Sequence, residues 1–403
     1  MKLSAYLGLF LASFIVSIGT FWAFQKGAND FSVFYEAWRL VSSSRGADLY
    51  HATPDRFLYA PGFAWLFFPL GLLPKGIALA IWCFAKAAVV GWIVRSFSLA
   101  LGYGWRGLNA AAWGVVWVAR PLLIDFQYGQ VNTFILGACV WALLNHFQKK
   151  SNSILNYLCW TTLAVAAVTK LFPLPLLLVP FALTLGISEK KLWQERIGIL
   201  IGLTLILLVP LVSQGTGGTF DLYHQWKDAL ISRGLPLESH NQSFSAFLHH
   251  VFSGQPIHVI AKGIAHPIQM GVAWLNQPVL STLSVAWMLL MGGILFGWLL
   301  TGSSKRPLPW IAILIGLLIL PSHLVWKPYF LMGLPAAVLA MTRWESAWPL
   351  LMALLALENF TGFDWVGSKF GAWFEGGAVF LWAHLILLGI IAYYAGEEPL
   401  FEN

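Results

Sequence analysis

Long apolar segments separated by short polar connections dominate this sequence and constrain its fold more than any other feature. A helix needs about 20 apolar residues to cross a hydrocarbon layer ~30 Å thick, and in lipid its backbone polar groups must be satisfied internally. Hydrophobic residues make up 58% of the chain and charged residues only 10%, so little of it is left for a water-soluble domain. The sequence therefore predicts an all-α, polytopic membrane bundle.

We count about twelve membrane-spanning helices and expect residues 1–403 to form a single membrane domain. The first apolar segment is longer than the apolar core of a signal peptide, so we interpret it as an uncleaved span. Residues 61–73 are short and flanked or broken by prolines, which predicts a re-entrant element. The spans are predicted at residues 3–24, 75–101, 107–123, 131–147, 154–169, 171–186, 194–213, 279–301, 307–321, 327–341, 345–358 and 376–394.

The basic residues predict how these spans are oriented. With a cytoplasmic N-terminus, every basic turn between spans lies on the cytoplasmic side, as the positive-inside rule requires. The net charge of +7 then reflects topology, and nucleic acid is not an expected partner. Two extracytoplasmic loops, at about 25–60 and 214–278, carry aromatic and polar residues typical of amphipathic helices.

Four polar residues near the ends of these spans are candidates for chemistry, because ionisable groups at membrane depth are costly and usually face a cavity. Asp30 precedes an amphipathic aromatic run, where it is either a helix N-cap or a catalytic group. Gln130 and Asn132 follow a glycine at a predicted outer turn, and Asn132 alternatively caps the next helix. Lys170 lies between two spans, where it either meets an anion or extends to the interface.

Two later segments carry further candidates. His240, Asn241 and Gln242 precede Ser243, which is also a good cap for the following apolar pattern. His323, Trp326 and Lys327 collect at the outer end of two spans, where an aromatic belt with a snorkelling lysine explains Trp326 and Lys327 but not His323. No nucleotide-binding or metal-protease motif is present, and the adjacent histidines 249 and 250 lack a nearby carboxylate, so we predict no metal and no cofactor.

Several of these motifs, taken in order, resemble glycosyltransferase family 87, a group of integral membrane enzymes in the GT-C superfamily. They are Asn29-Asp30-Phe31, Gly46-x-x-Leu49-Tyr50, Phe57-x-Tyr59-x-Pro61, Phe68-Pro69-Leu70, Gly129-Gln130-Val131-Asn132, Lys170-Leu171-Phe172-Pro173 and Asn241-Gln242-Ser243. Two departures are visible: Ala60 replaces the first proline of a Tyr-Pro-Pro run, and the late histidine segment appears as Ser322-His323-Leu324-Val325-Trp326-Lys327.

The resemblance implies a GT-C fold, a catalytic aspartate in the first extracytoplasmic loop, and a polyprenyl-phosphate sugar donor used on the outer side of the membrane. Asp30 occupies the position of that aspartate. A lipid phosphate is already a good leaving group, so the reaction needs a base for the acceptor hydroxyl and cations for the departing phosphate. The absence of a second acid in this motif set suggests inversion at the anomeric carbon.

On this interpretation Asp30 is the base, and the other candidates divide by charge. The expected phosphate-binding residues are Lys170, His323, Lys327 and Arg56, with Arg120 in reserve, and the expected sugar- or acceptor-binding residues are Gln130, Asn132, His240, Asn241, Gln242 and Trp326. The expected partners are the donor lipid, a glycolipid or glycan acceptor and membrane lipids. The alternatives are a transporter or flippase for a lipid-linked or anionic substrate, or a structural subunit of an envelope-assembly complex.

Overall fold

The computed structural model describes residues 2–52, 57–102, 104–148, 152–183, 186–261, 264–301 and 306–395. The first half of the chain forms helices α1 (Lys2–Lys26), α2 (Asn29–Ser42), α3 (Leu49–Ala52), α4 (Pro61–Leu66), α5 (Phe68–Gly71), α6 (Lys75–Ala100), α7 (Trp105–Trp117), α8 (Ala119–Tyr128), α9 (Asn132–Phe147) and α10 (Ser153–Thr169). The second half forms α11 (Val179–Ala182), α12 (Glu189–Leu208), α13 (Leu211–Ser232), α14 (Phe244–Phe252), strands β1 (Ile257–Ala261) and β2 (Ile264–Ile268), α15 (Gln277–Leu300), α16 (Pro307–Leu317), α17 (Leu334–Thr342), α18 (Trp344–Asn359), α19 (Phe363–Gly376) and α20 (Val379–Tyr394). Short 3-10 helices cover Gly46–Asp48, Leu174–Leu178 and Lys327–Gly333.

The predicted helical class is confirmed, with one addition. Strands β1 and β2 pair as an antiparallel hairpin, with Ile257 opposite Ile268, inside the segment predicted as the large loop. The chain divides into two compact units: unit 1 contains residues 1–15, 93–124 and 235–403, and unit 2 contains residues 16–92 and 125–234.

Three helices of the described chain, α1, α6 and α15, are long and apolar enough to cross a membrane. Three bent helix pairs raise this number to six if each pair is one span: α7 with α8 (63°), α12 with α13 (79°), and Lys369–Gly376 with α20 (54°). Four shorter apolar helices, α9, α10, α16 and residues 347–359, add to these. The protein is therefore a membrane protein, while the count of about twelve crossings and their orientation stay predictions.

Two predicted segments differ from the structure for identifiable reasons. The span predicted at 171–186 is not a continuous helix in its described part, residues 171–183, which contains the 3-10 helix Leu174–Leu178 and the single turn of α11. Prolines at 173, 175 and 180 prevent a continuous helix there. The span predicted at 194–213 also ends differently, because helix α12 stops at Leu208 and α13 (Leu211–Ser232) runs into the large loop, where helices were expected. Helix α13 is kinked at Gly215, where φ is 65°. Only glycine adopts that backbone conformation at low cost.

Unit 2 is built around helix α2, whose apolar residues recur at helical spacing and share one face. The buried side of α2 consists of Phe31, Phe34, Ala37 and Trp38. Phe34 meets the ring of Phe63 edge-on at 5.3 Å, which joins α2 to α4. The predicted amphipathic helix in the first loop is confirmed, and its packing fixes the position of Asp30, one residue before Phe31.

Unit 1 packs its apolar helices closely around α17. Helix α7 packs against α17, and a Cβ atom at Gly114 would lie 2.5 Å from the Val338 side chain. Many side chains of α15, including Leu289 and Phe296, are exposed. An exposed apolar face of this size is unfavourable in water but suits contact with lipid chains.

Candidate active site

Asp30 lies in the first turn of α2. The N-cap residue is Ala28, whose φ is 43°, and no side chain caps the helix. The alternative in which Asp30 is the N-cap is therefore wrong. The residue is partly exposed, and its carboxylate accepts a hydrogen bond from Gln130.

The surroundings of Asp30 raise the pKa of its carboxyl group above that of an ordinary aspartate. Burial is the main cause, because it weakens solvation of the charged form, and the negative charge of Asp125 adds to it. The hydrogen bond from Gln130 and the positive charge of Lys170 act in the opposite direction. A carboxylate that is harder to ionise is a better proton acceptor, which suits a general base.

The turn between α8 and α9 brings the two predicted amides to Asp30. The Asn132 Nδ2 group donates to Gln130 Oε1 at 2.6 Å, which leaves the Gln130 amide group to donate to Asp30. The N-cap residue of α9 is Val131, without a side-chain cap, so the alternative in which Asn132 caps the helix is wrong. Asn132 is fully buried and Gln130 is partly exposed, which makes Gln130 the amide that a substrate can reach.

Lys170 closes this network from the other side. It follows the last residue of α10, and its Nζ donates to Asn132 Oδ1 at 2.7 Å. This contact contradicts the alternative in which Lys170 only extends to the membrane interface. Burial lowers the pKa of Lys170 to about 7, while the charges of Asp125 and Asp30 raise it, so the charges of Lys170 and Asp30 act on each other.

A buried ion pair, whose residues were not among the predicted site residues, adjoins this network through Asn132. The Lys86 Nζ atom is 2.7 Å from Asp125 Oδ2, and neither side chain is exposed. Asn132 Nδ2 also donates to Asp125 Oδ1 at 3.0 Å. The signal for Lys86 was a lone cation in the middle of an apolar segment.

Gly129 allows the turn that carries Gln130 to approach α2. Its φ is 68°, and a Cβ atom there would lie 2.5 Å from the Cβ of Phe31. The Trp82 Nε1 atom donates to the Gly129 carbonyl at 2.9 Å, which holds the turn in place. The glycine in the Gly-Gln-Val-Asn motif is therefore explained by close packing.

Gly129→Ala is expected to lower the free energy of unfolding by roughly 1–3 kcal/mol, because it combines a left-handed backbone with an overpacked contact. Thermal unfolding in detergent measures the loss. Gly91→Ala is the matched control, since it lies in α6 and an added Cβ there meets nothing within 4 Å. Equal melting temperatures for the two variants would contradict the packing role of Gly129.

Unit 1 gathers several of the remaining candidates around Glu375, a fully buried carboxylate that the sequence analysis did not single out. Lys327 pairs with Glu375 Oε1, and Arg120 lies 3.3 Å from the same oxygen. His240 Nδ1 lies 3.4 Å from Glu375 Oε2. Lys327 is 8% exposed, so the snorkelling alternative for it is wrong.

The amides of the Asn-Gln-Ser motif are engaged by the protein itself. The Asn241 Nδ2 group donates to the carbonyls of Pro236 and His323, and Gln242 Nε2 donates to the Glu375 carbonyl at 2.7 Å. Both residues are fully buried, which favours a structural role over sugar binding. Ser243 accepts from the Ala246 amide, so the alternative in which it caps α14 is confirmed.

The remaining predicted site residues are His323, Trp326 and Arg56. His323 is exposed, and its backbone carbonyl accepts from Asn241 and Ser243. Trp326 is partly exposed, and its ring centroid lies 6.4 Å from that of His240. Arg56 lies outside the described residues.

An apolar cavity of about 430 Å³ lies within unit 2. Aromatic side chains form much of its wall, and Val131 and Thr169 border it, each adjacent in sequence to a residue of the polar network. The aromatic residues lining the cavity are Phe63, Phe67, Trp82, Trp92, Phe134 and Trp141. Its volume falls in the range of about 300–1,000 Å³ that is usual for small-molecule sites.

Comparison with known proteins identifies related sequences. An aligned segment of 98 residues is 36% identical to a polyprenol-phosphate-mannose-dependent alpha-(1-2)-phosphatidylinositol pentamannoside mannosyltransferase of Mycobacterium tuberculosis, covering 23% of this chain and 22% of that protein. The protein of the same name from Mycolicibacterium smegmatis is 34% identical over 95 residues, covering 23% of each chain. GPI mannosyltransferase 1 of Aspergillus fumigatus is 32% identical over 134 residues, covering 32% of this chain and 30% of that protein. These alignments therefore span less than a third of each relative.

No solved structure matches the chain significantly. The model of glycosyltransferase family 87 matches residues 57–325, about two-thirds of the chain, and confirms the resemblance seen in the sequence motifs. On the extent of this match, the chain belongs to glycosyltransferase family 87.

Proposed function

We propose that this protein is a glycosyltransferase that moves a hexosyl group, with mannose as the expected sugar, from a polyprenyl-phosphate donor to an acceptor hydroxyl. The observation that carries the proposal is the polar network of unit 2, in which Asp30, Gln130, Asn132 and Lys170 are linked. Three of the four are partly exposed, so a substrate can reach a base, an amide and a cation together.

The residues of this network suit the individual steps of transfer. The Asp30 carboxylate accepts the proton of the acceptor hydroxyl, whose oxygen forms a bond to the anomeric carbon. The bond from that carbon to the donor phosphate breaks, and the lipid phosphate leaves with the electron pair. Lys170 is placed to stabilise the added negative charge, and Gln130 is placed to orient a sugar or acceptor hydroxyl.

The stereochemical part of the proposal is inversion, and Asp125 must be considered because a retaining mechanism needs a second carboxylate as nucleophile. Asp125 is fully buried. Its two oxygens accept from Lys86, Asn132 and Thr133. A carboxylate so enclosed is poorly placed to attack an anomeric carbon, which supports Asp30 acting alone as a base.

A lipid-linked donor is supported by the cavity and by the relatives. The apolar aromatic wall of the cavity suits an isoprenoid chain, and two of the relatives are named for their dependence on polyprenol-phosphate mannose. We extend that donor class to this chain and propose a glycolipid or glycan acceptor. The proposed location is the cell membrane, in a multi-pass arrangement with Asp30 on the extracytoplasmic face, as the basic turns predict.

The cationic cluster of unit 1 is proposed as a further donor-phosphate site, with His323 and Arg56 as additional candidates. Lys327 and Arg120 both contact Glu375, so these three residues carry one more positive charge than negative. His240 and Trp326 are the residues of unit 1 that we propose to contact sugar, because both are partly exposed.

Purified protein in detergent or liposomes, supplied with synthetic polyprenyl-phosphate mannose and membrane glycolipids, tests the proposal. Formation of a mannosylated product together with free polyprenyl phosphate supports it. Movement of the donor across a liposome membrane without any glycosidic product would instead favour the transporter alternative. Transfer from a different polyprenyl-phosphate sugar would keep the reaction class and correct the sugar.

The pH dependence of kcat/KM is expected to be bell-shaped. Its two limbs should lie at different pH values from those that an aspartate and a lysine of ordinary pKa would give. Asp30 must be ionised, and its raised pKa moves the acid limb to higher pH than an ordinary aspartate would. Lys170 must be protonated, and its pKa of about 7 makes activity fall as the pH rises through neutrality. A profile that stays flat from pH 6 to pH 9, where roughly all of the Lys170 titration would occur, would contradict the role of Lys170.

A further inference from the structure

The buried pair of Lys86 and Asp125 is not accounted for by the proposed reaction. Both side chains are fully buried, although moving two charges out of water costs several kcal/mol per ion in real proteins. Two apolar residues of similar volume, one on α6 and one on α8, would fill the same space without that cost. Their contacts therefore need an explanation beyond stability.

The pair holds both the backbone and the side chains of the turn between α8 and α9. Lys86 Nζ bonds the Asp125 carboxylate and also donates to the Asp125 carbonyl at 2.7 Å. The same carbonyl accepts a hydrogen bond from the backbone N–H of Gln130 at 2.9 Å. The Asp125 carboxylate in turn accepts from Asn132 at 3.0 Å and from Thr133 Oγ1 at 2.6 Å.

Asn132 connects this pair to the partly exposed side chains of Gln130 and Lys170 by hydrogen bonds. Its Nδ2 group lies between Asp125 and Gln130, and its Oδ1 atom accepts from Lys170. Because the Asn132 side chain is held by Asp125, its amide is oriented with the oxygen toward Lys170 and the nitrogen toward Gln130. Loss of that anchor frees the amide to rotate and removes the common support of both neighbours.

We propose that Lys86 and Asp125 are positioning residues, which act through Asn132 to hold Gln130 and Lys170 in the geometry that Asp30 requires. The effect on transfer rests on the proposed function, whereas the effect on geometry does not. Neither side chain of the pair is exposed to solvent, so the pair acts on a substrate only through its neighbours. Its role is to fix the separation of the base and the cation.

Two double variants distinguish positioning from a purely structural role. Lys86→Met with Asp125→Asn removes both charges but retains an oxygen that can accept from Asn132. Lys86→Met with Asp125→Leu removes both charges and the acceptor. Since both variants avoid an unpaired buried charge, both are expected to fold, and their melting temperatures in detergent check this.

The variant with leucine is expected to lose roughly 100-fold in kcat/KM, as misplaced catalytic groups do. The variant with asparagine is expected to keep a kcat/KM about tenfold or more above that of the leucine variant. Equal transfer by the two folded variants would overturn the proposal. Should the leucine variant not fold, Thr133→Val gives the comparison, because it removes one hydrogen bond to Asp125 and leaves the ion pair intact. An unchanged kcat/KM in Thr133→Val would then count against positioning.

Acylation of Lys170 provides a readout that does not depend on transfer. Both double variants remove the Asp125 charge, so the effect of that charge on Lys170 is lost equally in both. A difference between their acylation rates therefore reports how firmly Asn132 holds Lys170 through its hydrogen bond. Lys170 is expected to react several-fold faster in the leucine variant than in the asparagine variant, with exposed Lys227 as the internal reference. Equal acylation rates in the two variants would overturn the positioning role, whether or not the wild type transfers sugar. Absence of transfer by the wild type would instead refute the proposed function.

Discussion

Asp30→Asn is expected to reduce kcat/KM for sugar transfer by roughly 10²–10⁴-fold, the usual contribution of a general base. The amide is nearly the same size and can still accept the hydrogen bond from Gln130, so α2 and the turn beside it should keep their structure. What the variant loses is the ability to take the proton of the acceptor hydroxyl. Transfer of labelled sugar from polyprenyl-phosphate mannose, at matched protein concentration, measures the effect.

Asp48→Asn is the matched control for this variant. Asp48 lies in the same predicted loop, and among the described residues its carboxylate forms an exposed ion pair with Arg45, three residues earlier. Exposed pairs of this kind contribute about 0–1 kcal/mol to stability, so the control should transfer at the wild-type rate. Retention of activity by both variants would show that Asp30 is not the base and would direct attention to unit 1.

The sequence predicted the helices of this protein better than their boundaries and contacts. Apolar length is a local property, so the positions of α1, α6 and α15 followed from it directly. The failed prediction at 171–186 was also local, since prolines at 173, 175 and 180 break any helix there. The β-hairpin carries no comparable signal, because each of its strands is only five residues long, far shorter than the apolar length that predicts a membrane span.

The candidate site shows what sequence patterns cannot provide. Asp30, Gln130 and Lys170 were each recognisable as polar residues beside apolar segments, but their mutual contacts join parts of the chain that are far apart in sequence. The partners of Lys327 were missed for this reason, since Glu375 lies 48 residues away. Lys86 itself carried a readable signal, an ionisable residue inside the apolar segment 75–101, and Glu375 immediately precedes the span predicted at 376–394. Nothing local indicated what each one pairs with.

Lys170→Gln is expected to lower kcat by roughly 10²–10³-fold, the usual effect of removing one group that stabilises developing negative charge. Glutamine can still donate to Asn132 Oδ1, so the network keeps its hydrogen bond and loses its positive charge. Lys227→Gln is the matched control, because that lysine is 63% exposed on α13 and lies outside the site. Single-turnover transfer with saturating donor separates this effect from weaker donor binding.

The pH profile of Lys170→Gln provides the decisive check, because the two sides of the profile should change differently. The alkaline limb near pH 7 should disappear, since the group that titrates there is gone. The positive charge of Lys170 lowers the pKa of Asp30, so its removal raises that pKa and moves the acid limb to higher pH. An acid limb that stays in place while the alkaline limb disappears would show that Lys170 binds the donor phosphate without acting on the base. A profile unchanged on both sides would place the essential cation elsewhere, with Lys327 and Arg120 of unit 1 as the next residues to substitute.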